Sequence, residues 1–189
     1  MGRIRSLALR APKSYEHTKL VAWRNANRHK FLHPKPITLD SHLAWYSTKR
    51  KSFRDHFFVV AQRSSGVMIG TIGFTSFENV GEYNRFLIAE PYRGRGFGKE
   101  ALWTLLDRGF YEGIDKFYGL VIATNGEAIA LNRQLGFKES TEKRTKYDKI
   151  PYLVDVIKFT MKAEDLPSWE NLSWSQELDI VEQPGSPRL

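Results

Sequence analysis

Apolar positions recur with two different periods along this chain, and each change of period marks an element. RIRSLALR reads as a first strand, and Tyr15 to Asn27, where Leu20, Val21, Trp23 and Arg24 cluster, reads as a helix. HKFLHPKPI is a loop, because Pro34 and Pro36 cannot sit inside a helix. Thr38 then caps a second helix, TLDSHLAWYSTKRK, in which Leu39, Leu43 and Tyr46 recur at helical spacing. HFFVVAQ and VMIGTIGFTSF are two strands joined by the hairpin signal RSSG, and EYNRFLIAE is a third. Phe97, Ala101 and Leu105, with Leu102, Leu106 and Phe110 in the next row, make a broad apolar helix face. KFYGLVIAT is a buried strand by its near-continuous apolar run, and NGEAIALNRQLG is a short helix stopped at Gly136. FKESTEKRTKY and YLVDVIKFTMK close the body. The predicted order is β-α-α-β-β-β-α-β-α-β-β: an α/β fold with a mixed sheet flanked by helices.

Composition narrows the class. A chain of 189 residues with 41% hydrophobic content supports one domain with a real core. No apolar run reaches the roughly 20 residues of a membrane span, and the opening MGRIRSLALRAP is too short and too interrupted for a signal peptide. MGRIRS does fit the short Gly2 acylation pattern, with Ser6 in place. A cytoplasmic location is the expectation. The absence of cysteine excludes disulfides, thiolate metal sites and a cysteinyl intermediate. Residues 163–189 carry six acids against Arg188, a balance of −5, so the net +8 of the chain leaves +13 on residues 1–162. The expected division is therefore a basic domain over 1–162 and an acidic peripheral tail over 163–189, docked through Trp169 and Trp174. A body so basic favours anionic partners. Nucleic acid is disfavoured, since neither an aromatic–basic platform nor a recognition-helix signature is present. The oligomeric state is left open, a homodimer included.

The candidate chemistry concentrates in PYRGRGFGKEALWTLL, where Gly94, Gly96 and Gly98 follow a strand and open a helix beside Arg93, Arg95 and Lys99. Glycine admits positive φ and close approach of a ligand to the backbone. The first helical turn leaves its N–H groups unpaired and carries about half a positive charge. Together these form a phosphate cradle. The P-loop pattern fails, because Arg93 and Glu100 stand where it needs glycine and Ser/Thr; GxGxxG fails because Lys99 stands at its last place. The pattern that fits is R-x-x-G-x-G, met by Arg93, Gly96 and Gly98.

IAEPYRGRGFGKEALWTLLDRGF, followed about thirty residues later by NGEAIALNRQLGF, resembles the acetyl-CoA-binding core of the GNAT (Gcn5-related) N-acetyltransferases, and the resemblance covers roughly residues 3–162. It implies that the central sheet is mostly antiparallel. It implies that the turn Arg93, Gly94, Arg95, Gly96, Phe97, Gly98 and Lys99 holds the CoA pyrophosphate through its amides. It implies further that Leu87, Ile88 and Ala89 lie on a splayed strand that bonds the pantetheine arm, and that Asn125 contacts the cofactor. Acetyl-CoA is then the co-substrate, an amine the acceptor, and no metal is required. The family often places a tyrosine after the leucine of the second motif as the acid for the departing thiolate; here that place is Asn132. Asparagine donates a hydrogen bond but gives up no proton at neutral pH. Water could protonate the thiolate, another tyrosine (Tyr83, Tyr147 or Tyr152) could reach in, or Asn132 could steady the sulfur, which is the expected role.

Glu82, near where related enzymes often carry a glutamate acting through water, is the candidate general base; the competing reading is a surface carboxylate at a strand entrance. The burden on a base depends on the amine. Neutralising an α-amine at pH 7 costs about 1.4 kcal/mol, and a lysine-like amine about 4.6 kcal/mol. His42 is read as packing or capping its helix, and His29 and His33 as loop surface. Substrate choice in such enzymes sits in the first two helices. There W-R-N followed by a threonine-led helix with His-x-x-Trp is similar to a subgroup that includes acetylases of nucleotide-linked amino sugars, polyamines and ribosomal-protein N-termini. The basic loop, Arg24, Arg28, His29, Lys30 and Lys35, suits an anionic acceptor and repels a polycation. An amino sugar or other small amine is the expected acceptor, with a protein N-terminus as runner-up and a non-catalytic nucleic-acid or ribosome-binding module as the alternative of a different class.

Overall fold

The structure, a computed structural model, describes residues 5–145 and 154–172. Among these, seven strands form one sheet: β1 (Leu7–Arg10), β2 (Asp55–Gln62), β3 (Met68–Phe77), β4 (Val80–Ile88), β5 (Lys116–Ile122), β6 (Lys138–Thr145) and β7 (Val154–Lys162). The α-helices are α1 (His17–Ala26), α2 (Leu39–Lys49), α3 (Phe97–Tyr111) and α4 (Gly126–Gln134), in the order read from the sequence. The strand order is β1-β2-β3-β4-β5-β7-β6, antiparallel throughout except for β4 and β5. Chain order and sheet order part only at the closing hairpin. β6, KESTEKRT, has no large apolar side chain and takes the edge, where charge discourages further pairing. β7, VDVIKFTMK, carries Val156, Phe159 and Met161 into the core beside β5.

Both faces of the sheet are covered. Val60, Ile69, Ile72 and Phe74 pack with Leu102, Leu105 and Leu106 of α3, whereas Val59 and Met68, one residue out of phase, pack with Leu20 of α1. This is why β3 is buried continuously from Met68 to Phe74. KFYGLVIAT behaves differently from the fully buried strand expected: exposure alternates, because Leu120 and Ile122 face an open cleft. The caps follow the sequence. Thr38 Oγ1 accepts from the Ser41 amide at 3.1 Å, and Gly136 takes φ 84° after α4.

The buried face of α2 is a correction. Leu39 and Leu43 are exposed, and the helix instead turns His42 inward, with Trp45 and Tyr46 half-buried beside it. An aromatic wall offered by Phe57 decides the rotation over the leucine stripe. At the other end of the fold, Trp169 is buried edge-on to Trp103, whose Nε1 donates to the Pro167 carbonyl at 2.9 Å. Trp174 and residues 173–189 lie outside the described residues.

Candidate functional site

The cleft exists because β4 and β5 stop pairing. Their parallel ladder runs only from Val80–Lys116 to Glu82–Tyr118. Thr71 of β3 pairs with Leu87 and Gly73 with Asn84, so β4 carries one extra residue across that interval. This bulge bends β4. It centres on Arg85, whose φ of 53° is uncommon for a non-glycine residue and is held by several bonds. Thr71 Oγ1 donates to the Arg85 carbonyl at 2.8 Å, while the Arg85 guanidinium donates to Asn84 Oδ1 and Asp55 Oδ1, both at 2.6 Å, and to Thr75 Oγ1 at 3.1 Å. Just before the bulge, the ring of Tyr83 lies over Gly119 of β5, where any side chain would collide with it. The parted strands and the helices around them enclose about 1200 Å³.

At one mouth stands the glycine elbow. Gly94 and Gly96 take φ of 71° and 75°, and open space lies where a Gly94 side chain would be. Gly96 is the N-cap of α3 and has no side chain to offer, and the amides of Phe97 and Gly98 make no hydrogen bond among the described residues. Fifteen residues of helix thus present an uncapped positive end to the cleft. These features suit a diphosphate. Arg93, Gly94, Gly96, Gly98 and Lys99 line the cleft with Leu87, Ile88, Asn125 and Asn132. Ala89, Arg95 and Phe97 do not: the Ala89 amide is spent on Ile69 O at 2.9 Å, the Phe97 ring is buried in the core, and Arg95 lies over that ring. The Arg93 side chain is also committed, donating to Ile88 O at 2.9 Å and Asn27 Oδ1 at 2.7 Å. Asn125 caps α4 through Oδ1, which accepts from the Ala128 amide.

Glu82, from β4, and Asn132, from α4, both line the cleft. Glu82 is half-buried on the last paired rung of β4, and Tyr118 Oη donates to its Oε2 at 3.2 Å. Burial raises its pKa above the ordinary carboxylate value, opposed in part by the Tyr118 bond and by Arg85. Asn132, 1% exposed, donates through Nδ2 to Ala128 O at 2.8 Å and accepts through Oδ1 from Tyr83 Oη at 2.7 Å. Tyr83 is buried, and that burial, opposed by the Asn132 bond, holds its phenol far above the usual range. Of the three tyrosines considered from the sequence, Tyr83 reaches Asn132; Tyr147 and Tyr152 lie outside the described residues.

The far wall is built by the segment between α1 and α2. Asn25 zips that segment shut, its amide pairing both ways with the Ile37 main chain at 2.8 and 2.9 Å. Asn27 ties it to Arg93, and Lys30 reaches Glu127 at the start of α4 with 2.6 Å between charges. Below it, the buried Asp55 carboxylate is gripped by Arg85 and by Lys49 (2.9 Å). Burial alone would raise Asp55, but its two cations prevail and hold it below the usual range. Trp45 lies beneath Arg85, 5.1 Å from its guanidinium carbon to the ring centre. His42 is buried against His17, Nε2 to Nδ1 at 3.0 Å, so the packing role expected of it holds. Among the described residues no three His, Cys, Asp or Glu side chains gather as a metal set, and no helix is long and apolar enough to cross a membrane. Sequence reasoning missed Lys49, Asp55 and Arg85, which come from three elements and carry no shared motif.

A family model described as "Acetyltransferase (GNAT) domain" matches residues 6–138. The chain belongs to the GNAT acetyltransferase family. Among curated relatives, an L-methionine sulfoximine/L-methionine sulfone acetyltransferase of Pseudomonas aeruginosa is 25% identical over 111 residues, 56% of this chain and 63% of that protein. The SPbeta prophage-derived uncharacterized N-acetyltransferase YokL of Bacillus subtilis is 33% identical over 116 residues, 59% of this chain and 65% of that protein. The matches thus span somewhat less than two thirds of either relative. Among solved structures, the spermidine N-acetyltransferase of Vibrio cholerae with CoA and spermine aligns with a TM-score of 0.74 at 20% identity, covering 85% of this chain and 97% of that one. The putative acetyltransferase yncA of Salmonella typhimurium with acetyl-CoA aligns at 0.65 and 18%, covering 82% and 93%. At such identities these two establish the shared fold.

Proposed function

We propose that this protein moves an acetyl group from acetyl-CoA to the primary amine of a small molecule, an amino acid or amino sugar. The observation that carries the reading is the parting of β4 from β5, with an uncapped helix N-terminus at one mouth and Glu82 where the strands diverge. The relative from Pseudomonas aeruginosa, named for L-methionine sulfoximine and L-methionine sulfone, supports a small acceptor.

Acetyl-CoA supplies the activated acyl group as a thioester. The amides of Phe97 and Gly98, which make no hydrogen bond among the described residues, would hold its diphosphate, and Leu87 and Ile88 line the cleft that would take its arm. Glu82 takes the proton of the attacking amine, directly or through water, and its burial-raised pKa makes it a better base than a solvated carboxylate. Tyr118 keeps that carboxylate in one orientation. Asn132 steadies the departing sulfur: Nδ2 has two hydrogens and spends one on Ala128. Tyr83 fixes which way the amide faces by donating to Oδ1. Its own phenol, pushed upward by burial, is a poor acid for this work.

The test is a thiol-release assay with acetyl-CoA and a panel of small amines, amino sugars and N-terminal peptides. Small amines are expected to turn over, and acetyl-CoA at 100 times its Kd to add roughly 2.7 kcal/mol of stability. Turnover of peptides alone would move the reading to protein N-termini. Stabilisation by RNA with none by acetyl-CoA would sink it.

A further inference from the structure

Three arginines line the cleft, and two of them have their oxygens supplied by the protein. Arg85 has Asp55, Asn84 and Thr75; Arg93 has Ile88 O and Asn27 Oδ1. Arg24 differs. It sits in the last turn of α1, half-buried, its guanidinium carbon 4.0 Å from the centre of the Phe31 ring. Nη2 donates to the His33 carbonyl, but the buried Nη1 has no hydrogen-bond partner, and no carboxylate pairs with Arg24 among the described residues. Burial presses its pKa below the ordinary arginine value. A buried guanidinium nitrogen without an acceptor destabilises the fold until an oxygen meets it.

The position says which oxygen. Leu20 and His17 precede Arg24 by four and seven residues, so all three lie on one face of α1. His17 rests on His42, and His42 on Trp45 and Phe57, which line the cleft with Asp55 and Arg85. Asn27, not Arg24, turns to the elbow through Arg93. Arg24 therefore lines the cleft with Phe31, His33 and Trp45 and makes none of the bonds to the elbow. We propose that Arg24 Nη1 receives an anionic oxygen, of a carboxylate or a phosphate, on the acceptor, so that the substrates are amines that also carry an anion. This rests on the reading of the cleft as an acetyl-transfer site. One free nitrogen makes it a single-point contact rather than a bidentate fork, because Nη2 is already held by the loop.

The experiment compares acceptors that differ only in the anion: L-methionine sulfone against its carboxamide, and an amino-sugar phosphate against the unphosphorylated sugar. Wild type is expected to favour the anionic member of one pair by roughly tenfold or more in kcat/KM, and the favoured pair tells carboxylate from phosphate. In Arg24→Gln that ratio collapses toward one while acetyl-CoA Kd, measured by calorimetry, moves less than about threefold. Arg24→Lys, which keeps a cation over Phe31, retains part of the ratio and guards against a mere folding defect. An unchanged ratio in Arg24→Gln overturns the assignment, as does turnover confined to neutral amines. A large loss of acetyl-CoA affinity in Arg24→Gln also overturns it, by giving Nη1 to the cofactor. Wild type that binds no acetyl-CoA fails at the earlier step, the acetyl-transfer reading itself.

Discussion

Gly119→Ala tests the geometry of the cleft most directly, because the added atom has no room. A β-carbon at Gly119 would stand 2.0 Å from Tyr83 Cζ, 2.1 Å from Cε1 and 2.4 Å from Oη. Ordinary contact begins near 3.4 Å, so the ring must withdraw by about 1.4 Å. Tyr83 has little freedom to do so: it is 7% exposed, its ring meets Phe137 edge-on at 5.7 Å, and its hydroxyl is tied to Asn132 at 2.7 Å. Overpacking costs about 1–3 kcal/mol. Breaking the Tyr83–Asn132 bond leaves two buried polar groups unmet, another ~1–3 kcal/mol. Urea denaturation should therefore show a loss of about 2–6 kcal/mol, and kcat should fall as Asn132 loses its orientation. The same substitution in a Tyr83→Leu background should cost far less, giving a coupling of roughly 1.5 kcal/mol or more. If Gly119→Ala costs under about 0.5 kcal/mol, or costs the same in both backgrounds, the Tyr83 wedge is wrong.

Glu82→Gln should lower kcat/KM by roughly 10²–10⁴ and abolish the acid limb of its pH profile, an outcome read by initial rates between pH 5 and 9. Because burial raises Glu82 in the folded state, ionising it costs stability as pH rises through that raised value, so the variant should gain Tm over wild type at pH 7 and match it near pH 4. His42 has the opposite sign: burial, aided by His17, lowers it to about 4, so its contribution is present above the unfolded value of 6.5 and lost as pH falls through about 4. Urea midpoints from pH 7 down to 4 should drop less steeply in His42→Gln than in wild type. Glu100, fully buried, accepts from the Ser6 and Leu7 amides at 2.5 and 2.7 Å and from Ser6 Oγ at 2.7 Å. Glu100→Ala leaves the start of an edge strand without acceptors and should cost roughly 3–5 kcal/mol by chemical denaturation.

Element order was legible because it depends on local pattern: the periods of two and 3.6, the prolines at 34 and 36, the Thr38 cap and Gly136 are each written within a few residues. The strand order was less so. β6 and β7 are both plausible neighbours of β5 until burial decides, and the apolar content of VDVIKFTMK against KESTEKRT decides it only once the sheet is known. The bulge at Arg85 left no sign at all, since its left-handed φ falls on a residue type that does not advertise it. The face of α2 was misread for a related reason. Leu39 and Leu43 form the better apolar stripe, yet the helix buries His42, because an available partner, His17, satisfies its ring nitrogen and Phe57 its ring face.

The two halves of the site differ in legibility for the same physical cause. The phosphate end is made of main chain, and main chain can be freed or exposed only by particular residue types, so glycines and an uncapped helix start betray it in sequence. The acceptor end is made of side chains brought together from α1, α2, β2 and β4: Arg24 and Trp45 fall in the W-R-N and His-x-x-Trp pattern, but nothing local in the sequence joins them to Asp55 or Arg85. What links the halves is one short run: Arg24 holds the His33 carbonyl, Asn25 pairs with Ile37, and Asn27 engages Arg93. The segment that shapes the acceptor wall is thus fastened to the residue that borders the phosphate elbow. A substitution at Asn27 would loosen both at once, whereas one at Arg24 would reach only the acceptor.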